Sequence, residues 1–141
     1  MGNKPENRNI EQSSLSFKKK ERLCSKKIID KLFSEGESFP VFPLKFVFLK
    51  TTLPFDSPVQ TGFSVGKKTF KKAVQRNLIK RRMREAYRLN KHILYQNTGT
   101  EGLALFILFI GKAIPEYKLI EDAMKKALKL LVNKIGSDRY H

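Results

Sequence analysis

The segment "LALFILFI", residues 103–110, constrains this chain more than any other. Apolar side chains occupy both alternating sets of positions. As a strand it must be covered on both faces, which places it in the middle of a sheet. The run is far too short to span a bilayer, for which about 20 apolar residues are needed.

Other segments supply what such a strand requires. "FPLKFVFLK" (42–50) and "VQTGFSVG" (59–66) read as strands. In the first, Leu44, Phe46 and Phe48 point one way, and Lys45, Val47 and Leu49 the other. In the second, Phe63 and Val65 share a face opposite Gly62 and Ser64. The sheet is therefore expected to be packed on one side and partly open on the other, where Lys45, Gly62 and Ser64 lie. Residues 26–34 form a short predicted helix, with Ser25 as N-cap and Gly36 ending it. Its apolar stripe is Ile28, Ile29, Leu32 and Phe33. Residues 112–136 form a longer one, with Pro115 near its start and Gly136 just past its end. Ile120, Met124, Ala127, Leu128, Leu131 and Ile135 make its core stripe. A basic helix spans about 70–90. The expected class is α+β: one α-β sandwich in the order α-β-β-α-β-α. Residues 1–17 read as a disordered arm, 18–136 as the domain and 137–141 as a tail.

Charge narrows the function. The 141 residues carry 29 Lys and Arg against 13 Asp and Glu, a net +16. Clustered positive charge on a basic domain is the footprint of a nucleic-acid binder. Eleven cations fall between residues 67 and 91, against one acid, Glu85. On a helical wheel they are sorted. Ile79, Met83, Ala86 and Tyr87 occupy one arc of about 100°, the buried side. Ala73, Asn77, Lys80, Arg81, Arg84 and Arg88 occupy the adjoining arc. Arg76 stands at the boundary, and Arg82 lies off both arcs, in solvent. Lys80, Arg84 and Arg88 repeat at i, i+4 and i+8 with no acid between them on that line. Like charges at that spacing repel. A phosphate backbone relieves the repulsion and releases counterions. The arginine fork suits phosphate oxygens and base edges. Asn77 can both donate and accept within this arc.

Several classes are disfavoured. Cys24 is the single cysteine, so no intrachain disulfide forms and a Cys-rich zinc site is ruled out. The polar start has no apolar signal-peptide core, and the setting expected is reducing and cytoplasmic. Glu85 stands alone among cations and is expected to pair with Arg81 or Arg82. Glu121 and Asp122 are neighbours on a helix and diverge. His92 and His141 are isolated. No protein catalytic residue and no protein-held metal is expected. A membrane-surface helix needs insertion residues opposite its charge, and here Ile79, Met83 and Tyr87 belong to the core. A major-groove DNA reader remains a rival, as does a ribosomal-type protein or general RNA chaperone.

The string "KKTFKKAVQRNLIKRRMREAYR" resembles the signature of the bacterial ribonuclease P protein component. Lys67-Lys68, Arg76-Asn77, Lys80-Arg81, Arg84-Glu85 and Tyr87 match it in order and spacing. So do the preceding "GFSVGKK" strand end and the apolar strand and amphipathic helix that follow. The resemblance covers about residues 19–135. One departure is Leu78, where the family has an arginine. The resemblance implies a ribosomal-protein-like fold with a left-handed β-α-β crossover. It implies a subunit that assists a catalytic RNA, with its divalent magnesium ions, in removing 5′ leaders from precursor tRNA. One protein is expected per RNA, without DNA or membrane partners. The implied RNA-binding residues are Lys67, Lys68, Lys72, Arg76, Asn77, Lys80, Arg81, Arg84 and Arg88. The implied leader cleft holds Phe33, Lys45, Val47, Leu49, Ser64 and Lys68, with Gly62 and Ser64 leaving room for a ribose-phosphate chain. Phe33 matches a family stacking position, and Ile29 replaces an aromatic at another.

Overall fold

The computed structural model describes residues 17–53, 58–97 and 102–139. After a 3-10 turn at Lys19–Glu21 come helix α1 (Lys26–Glu35) and strands β1 (Glu37–Val41), β2 (Leu44–Lys50) and β3 (Val59–Val65). Helices α2 (Ala73–Asn90) and α3 (His92–Tyr95), strand β4 (Leu103–Phe109) and helix α4 (Tyr117–Arg139) follow. The sheet order is β1-β2-β4-β3. Strand β4 is flanked by antiparallel β2 and parallel β3, with Ile107 opposite Phe46 on one side and Phe63 on the other.

The central position of β4 explains its two apolar faces. Leu103, Leu105, Ile107 and Phe109 enter the main core, under α2 and α4. Ala104, Phe106 and Leu108 look to the opposite face, where α1 lays Leu32, Ile28 and Ile29 over them. The expected stripe of α4, from Ile120 to Ile135, is buried throughout. Ile79, Met83, Ala86 and Tyr87 are the buried arc of α2.

Four expectations are corrected. The order α-β-β-α-β-α lacks β1, an edge strand paired with β2, and the short α3. In β1 only Phe39 is buried, so its apolar signal is weak, and Pro40 is tolerated because it lies on an edge. Helix α2 begins at Ala73, while Phe70 is a buried anchor whose N–H bonds the Gly66 carbonyl at 3.1 Å. Helix α4 runs through Gly136 to Arg139, because Gly136 does not adopt the positive φ with which a glycine caps a helix. Residues 137–139, read as tail, are thus helical.

The fourth concerns the arm. Its residues 1–16 lie outside the described residues, but Phe17 is packed. Its ring meets Phe63 and Tyr87 edge-on, with centroids 5.7 and 5.8 Å away. From there the chain crosses the outer edge of β3. The Leu23 N–H bonds the Thr61 carbonyl at 3.0 Å, and the Gln60 amide donates to the Lys20 carbonyl at 3.0 Å. The exposed edge of β3 is thereby covered. Leu23 then enters the cluster beneath α1.

The two ends of α1 follow from sequence. Ser25 accepts the Ile28 N–H at 3.3 Å. At the other end Gly36 keeps an ordinary extended backbone, φ −75° and ψ 164°. What it supplies is space. A Cβ there would lie 2.4 Å from the Leu32 carbonyl and 2.8 Å from that of Phe48.

Candidate nucleic-acid interface

The basic arc of α2 faces outward beside its buried arc. Asn77, Arg81 and Arg84 are exposed, and Lys80 and Arg88 are half-buried. The loop that leads into the helix adds exposed Lys67, Lys68, Lys71 and Lys72. Arg76 holds that loop in place. Its Nη1 donates to the carbonyls of Phe70 at 2.7 Å and Lys71 at 2.9 Å. Its position between the two arcs thus serves the backbone as well as the surface.

Two electrostatic expectations change. Glu85 pairs with Arg88, not with Arg81 or Arg82. Both carboxylate oxygens are engaged, at 2.9 and 2.8 Å, one turn along the helix. The Arg88 hydrogen bonds hold the Glu85 carboxyl below its ordinary range, and the same contact raises the Arg88 guanidinium. Arg82, expected only in solvent, donates to the Pro115 carbonyl and ties α2 to the chain entering α4. Leu78 is half-buried and stands off the basic arc.

The partly open sheet face lies on the side of α1. Register places Lys45, Leu108 and Ser64 in one row, Val47, Phe106 and Gly62 in the next, and Leu49, Ala104 and Gln60 in a third. Lys45 is exposed, Ser64 and Leu49 half-buried. Phe33, 49% exposed, meets the Phe106 ring edge-on at 5.2 Å. Lys68 is exposed just past β3.

Two cleft expectations are corrected. Val47 is only 6% exposed and belongs to the cluster beneath Leu32, so its side chain does not line an open surface. Gly62 does not leave an empty lane. The Phe106 ring occupies the space where a side chain would project. Phe106 is an aromatic that sequence reasoning missed, since β4 read as buried on both faces. Its pairing with a glycine across two strands was the available signal.

A second missed group lies at the end of α2. Glu21 and Lys91 are 4% and 6% exposed. Glu21 Oε1 accepts Lys91 Nζ and the Tyr95 hydroxyl, each at 2.6 Å. Its Oε2 accepts the Lys18 N–H at 2.7 Å. Burial alone would raise this carboxyl, but the hydrogen bonds from Lys91, Tyr95 and Lys18 outweigh it and lower the pKa. Nearby, the Thr61 hydroxyl donates to the Tyr87 hydroxyl at 2.9 Å, and burial raises the Tyr87 pKa. Among the described residues, no three His, Cys, Asp or Glu gather to hold a metal ion. Nor is any described helix long and apolar enough to cross a membrane.

Comparison with known proteins decides which family the chain belongs to. The family model described as Ribonuclease P matches residues 17–134. The chain belongs to the ribonuclease P protein family. A ribonuclease P protein component from Porphyromonas gingivalis (strain ATCC 33277) is 34% identical over 127 residues, covering 89% of this chain and 93% of that protein. One from Chlorobaculum tepidum is 34% identical over 127 residues, covering 81% and 82%. The ribonuclease P protein structure from Staphylococcus aureus aligns with a TM-score of 0.63 at 20% identity, covering 79% of this chain and 94% of its own. That from Thermotoga maritima aligns at 0.62 and 24% identity, covering 77% and 96%. These two likenesses carry the mixed α+β fold. Membership of the ribonuclease P proteins carries a role in tRNA processing, as the protein component of a ribonucleoprotein.

Proposed function

We propose that the chain binds the RNA subunit of ribonuclease P through the basic arc of α2 and its preceding lysine loop. The single-stranded 5′ leader of precursor tRNA lies along the sheet face between Phe33, Lys45, Ser64 and Lys68. The observation that carries this reading is the sorting of charge on α2. Asn77, Lys80, Arg81, Arg84 and Arg88 share one arc, and the adjoining arc is core. A helix that only needed solvation would gain from mixed signs. Here the one acid on the helix is consumed by Arg88.

On this reading the protein positions and the RNA subunit cleaves. Exposed arginines neutralise phosphates and release counterions. Phe33, braced by Phe106, offers a ring to an unstacked base, an interaction worth about 1–3 kcal/mol. Lys45 and Lys68 track the leader's phosphates. The divalent magnesium ions belong with the RNA subunit, and one protein joins one RNA in the cytoplasm.

The test is reconstitution. The protein is mixed with a bacterial ribonuclease P RNA and precursor tRNA at low magnesium. Cleavage and substrate affinity should both rise. If neither rises, the chain is a general RNA binder instead.

A further inference from the structure

Between Phe17 and Ile29 the chain carries a second cationic cluster: Lys18, Lys19, Lys20 and Arg22 are all exposed. Glu21 is the single acid in this stretch, and its carboxylate is turned inward. The cluster is not adrift. Phe17 fastens one end to Tyr87, at the border of the basic arc of α2. Leu23 fastens the other beside Thr61. Between them Glu21 grips Lys91 at 2.6 Å, across 70 residues of sequence, and Lys91 directly follows α2. A helical wheel puts position 91 in line with the arc that contains Lys80, Arg84 and Arg88.

A surface cation cluster needs no such anchor. Burying a carboxylate and an ammonium costs several kcal/mol in desolvation, recovered only with good geometry and added hydrogen bonds. Here both carboxylate oxygens are satisfied, by Lys91, Tyr95 and the Lys18 N–H. The last contact sets the backbone of the cluster itself. The arrangement also neutralises the one acid that would otherwise repel a phosphate chain.

We propose that Glu21 is a positioning residue that fixes Lys18, Lys19, Lys20 and Arg22 beside the C-terminal half of α2, making one continuous surface for an RNA phosphate backbone. The N-terminal segment is then part of the RNA interface. Arg22, whose guanidinium sits 5.6 Å from the Phe17 ring centroid, is held at its rim. This rests on the RNA-binding reading of α2 and extends it to a surface outside that helix.

The experiment measures affinity for a bacterial ribonuclease P RNA over a range of salt. Replacing Lys18, Lys19 and Lys20 together by alanine should lower the slope of log K against log salt by about two to three, and weaken binding about tenfold or more. Glu21→Ala is the sharper probe. It raises net charge by one, so charge alone would steepen the slope. The proposal expects a shallower slope instead. In the combined variant, Glu21→Ala should remove nothing further from the slope, because the lysines it positions are gone. An unchanged slope in the lysine variant overturns the proposal. So does tighter, steeper binding by Glu21→Ala. Should Glu21→Ala not fold, the lysine variant decides, since its changes touch only exposed side chains. Failure of the underlying reading looks different: the unaltered protein would show no salt-dependent binding to this RNA at all.

Discussion

The Phe106 ring lies so close to Gly62 that a Cβ on the glycine would sit 2.7 Å from it. The two residues are register partners on parallel strands β3 and β4. The absence of a side chain on β3 is therefore what lets the ring of β4 lie down beneath Phe33. The pair connects packing to recognition, since Phe33 is the aromatic left half-exposed at that place.

Gly62→Ala should displace Phe106 and loosen its edge contact with Phe33. Overpacking of this kind costs about 1–3 kcal/mol. Thermal unfolding should report that cost. The affinity ratio of precursor over mature tRNA should fall several-fold, with binding to the RNA subunit unchanged. An equal loss in both affinities would mean that the pair supports only the fold.

Phe33→Ala removes a half-exposed ring and should leave the protein folded. The precursor-to-mature affinity gap should narrow by about 1–3 kcal/mol, the value of one stacked base. A folded variant with an unaltered gap would make Phe33 a cover for Phe106 and nothing more.

Arg84→Ala addresses the basic arc. Arg84 is exposed, and no acid shares its line on the helix. Its loss should weaken RNA-subunit binding uniformly and lower the salt slope by about one. Arg88→Ala should also release Glu85, leaving an unpaired acid beside the arc and weakening binding by more. If Arg84→Ala leaves the slope as it was, Arg84 lies off the contact.

Stability should depend on Glu21 in acid. Its pKa in the folded chain is depressed below the ordinary 4.5 by the hydrogen bonds described. A depressed carboxyl contributes its stability in full above the unfolded value and loses it as pH falls through the folded one. Unfolding titrations should therefore show stability falling below about pH 4.5, and Glu21→Gln should flatten that part of the curve. At neutral pH the same variant leaves Lys91 buried without its counter-charge and should cost about 3 kcal/mol or more. An identical acid profile in the variant would remove Glu21 as the source.

Much of this was written in local pattern. A 3.6-residue period marked the stripe of α4 and the buried arc of α2, and a run apolar at both parities put β4 in mid-sheet. The Ser25 cap and the cations of the α2 arc were legible too, because each concerns residues within a turn or two of one another. Strand β1 was not legible, since an edge strand with one buried residue carries almost no alternation. Arg76 could be placed between two arcs, but not seen to close a loop on Phe70 and Lys71.

By itself, then, the sequence determined helices α1, α2 and α4, strands β2, β3 and β4, and the sign of the surface. Those follow from side-chain periodicity and charge, which act over a few residues. Only the tertiary structure decided what met across long separations: Glu21 with Lys91, Gly62 with Phe106, Arg82 with Pro115, and Val47 beneath Leu32. Such contacts arise from strand order and helix placement, and many partners of equal chemistry were open to each residue until the sheet chose one.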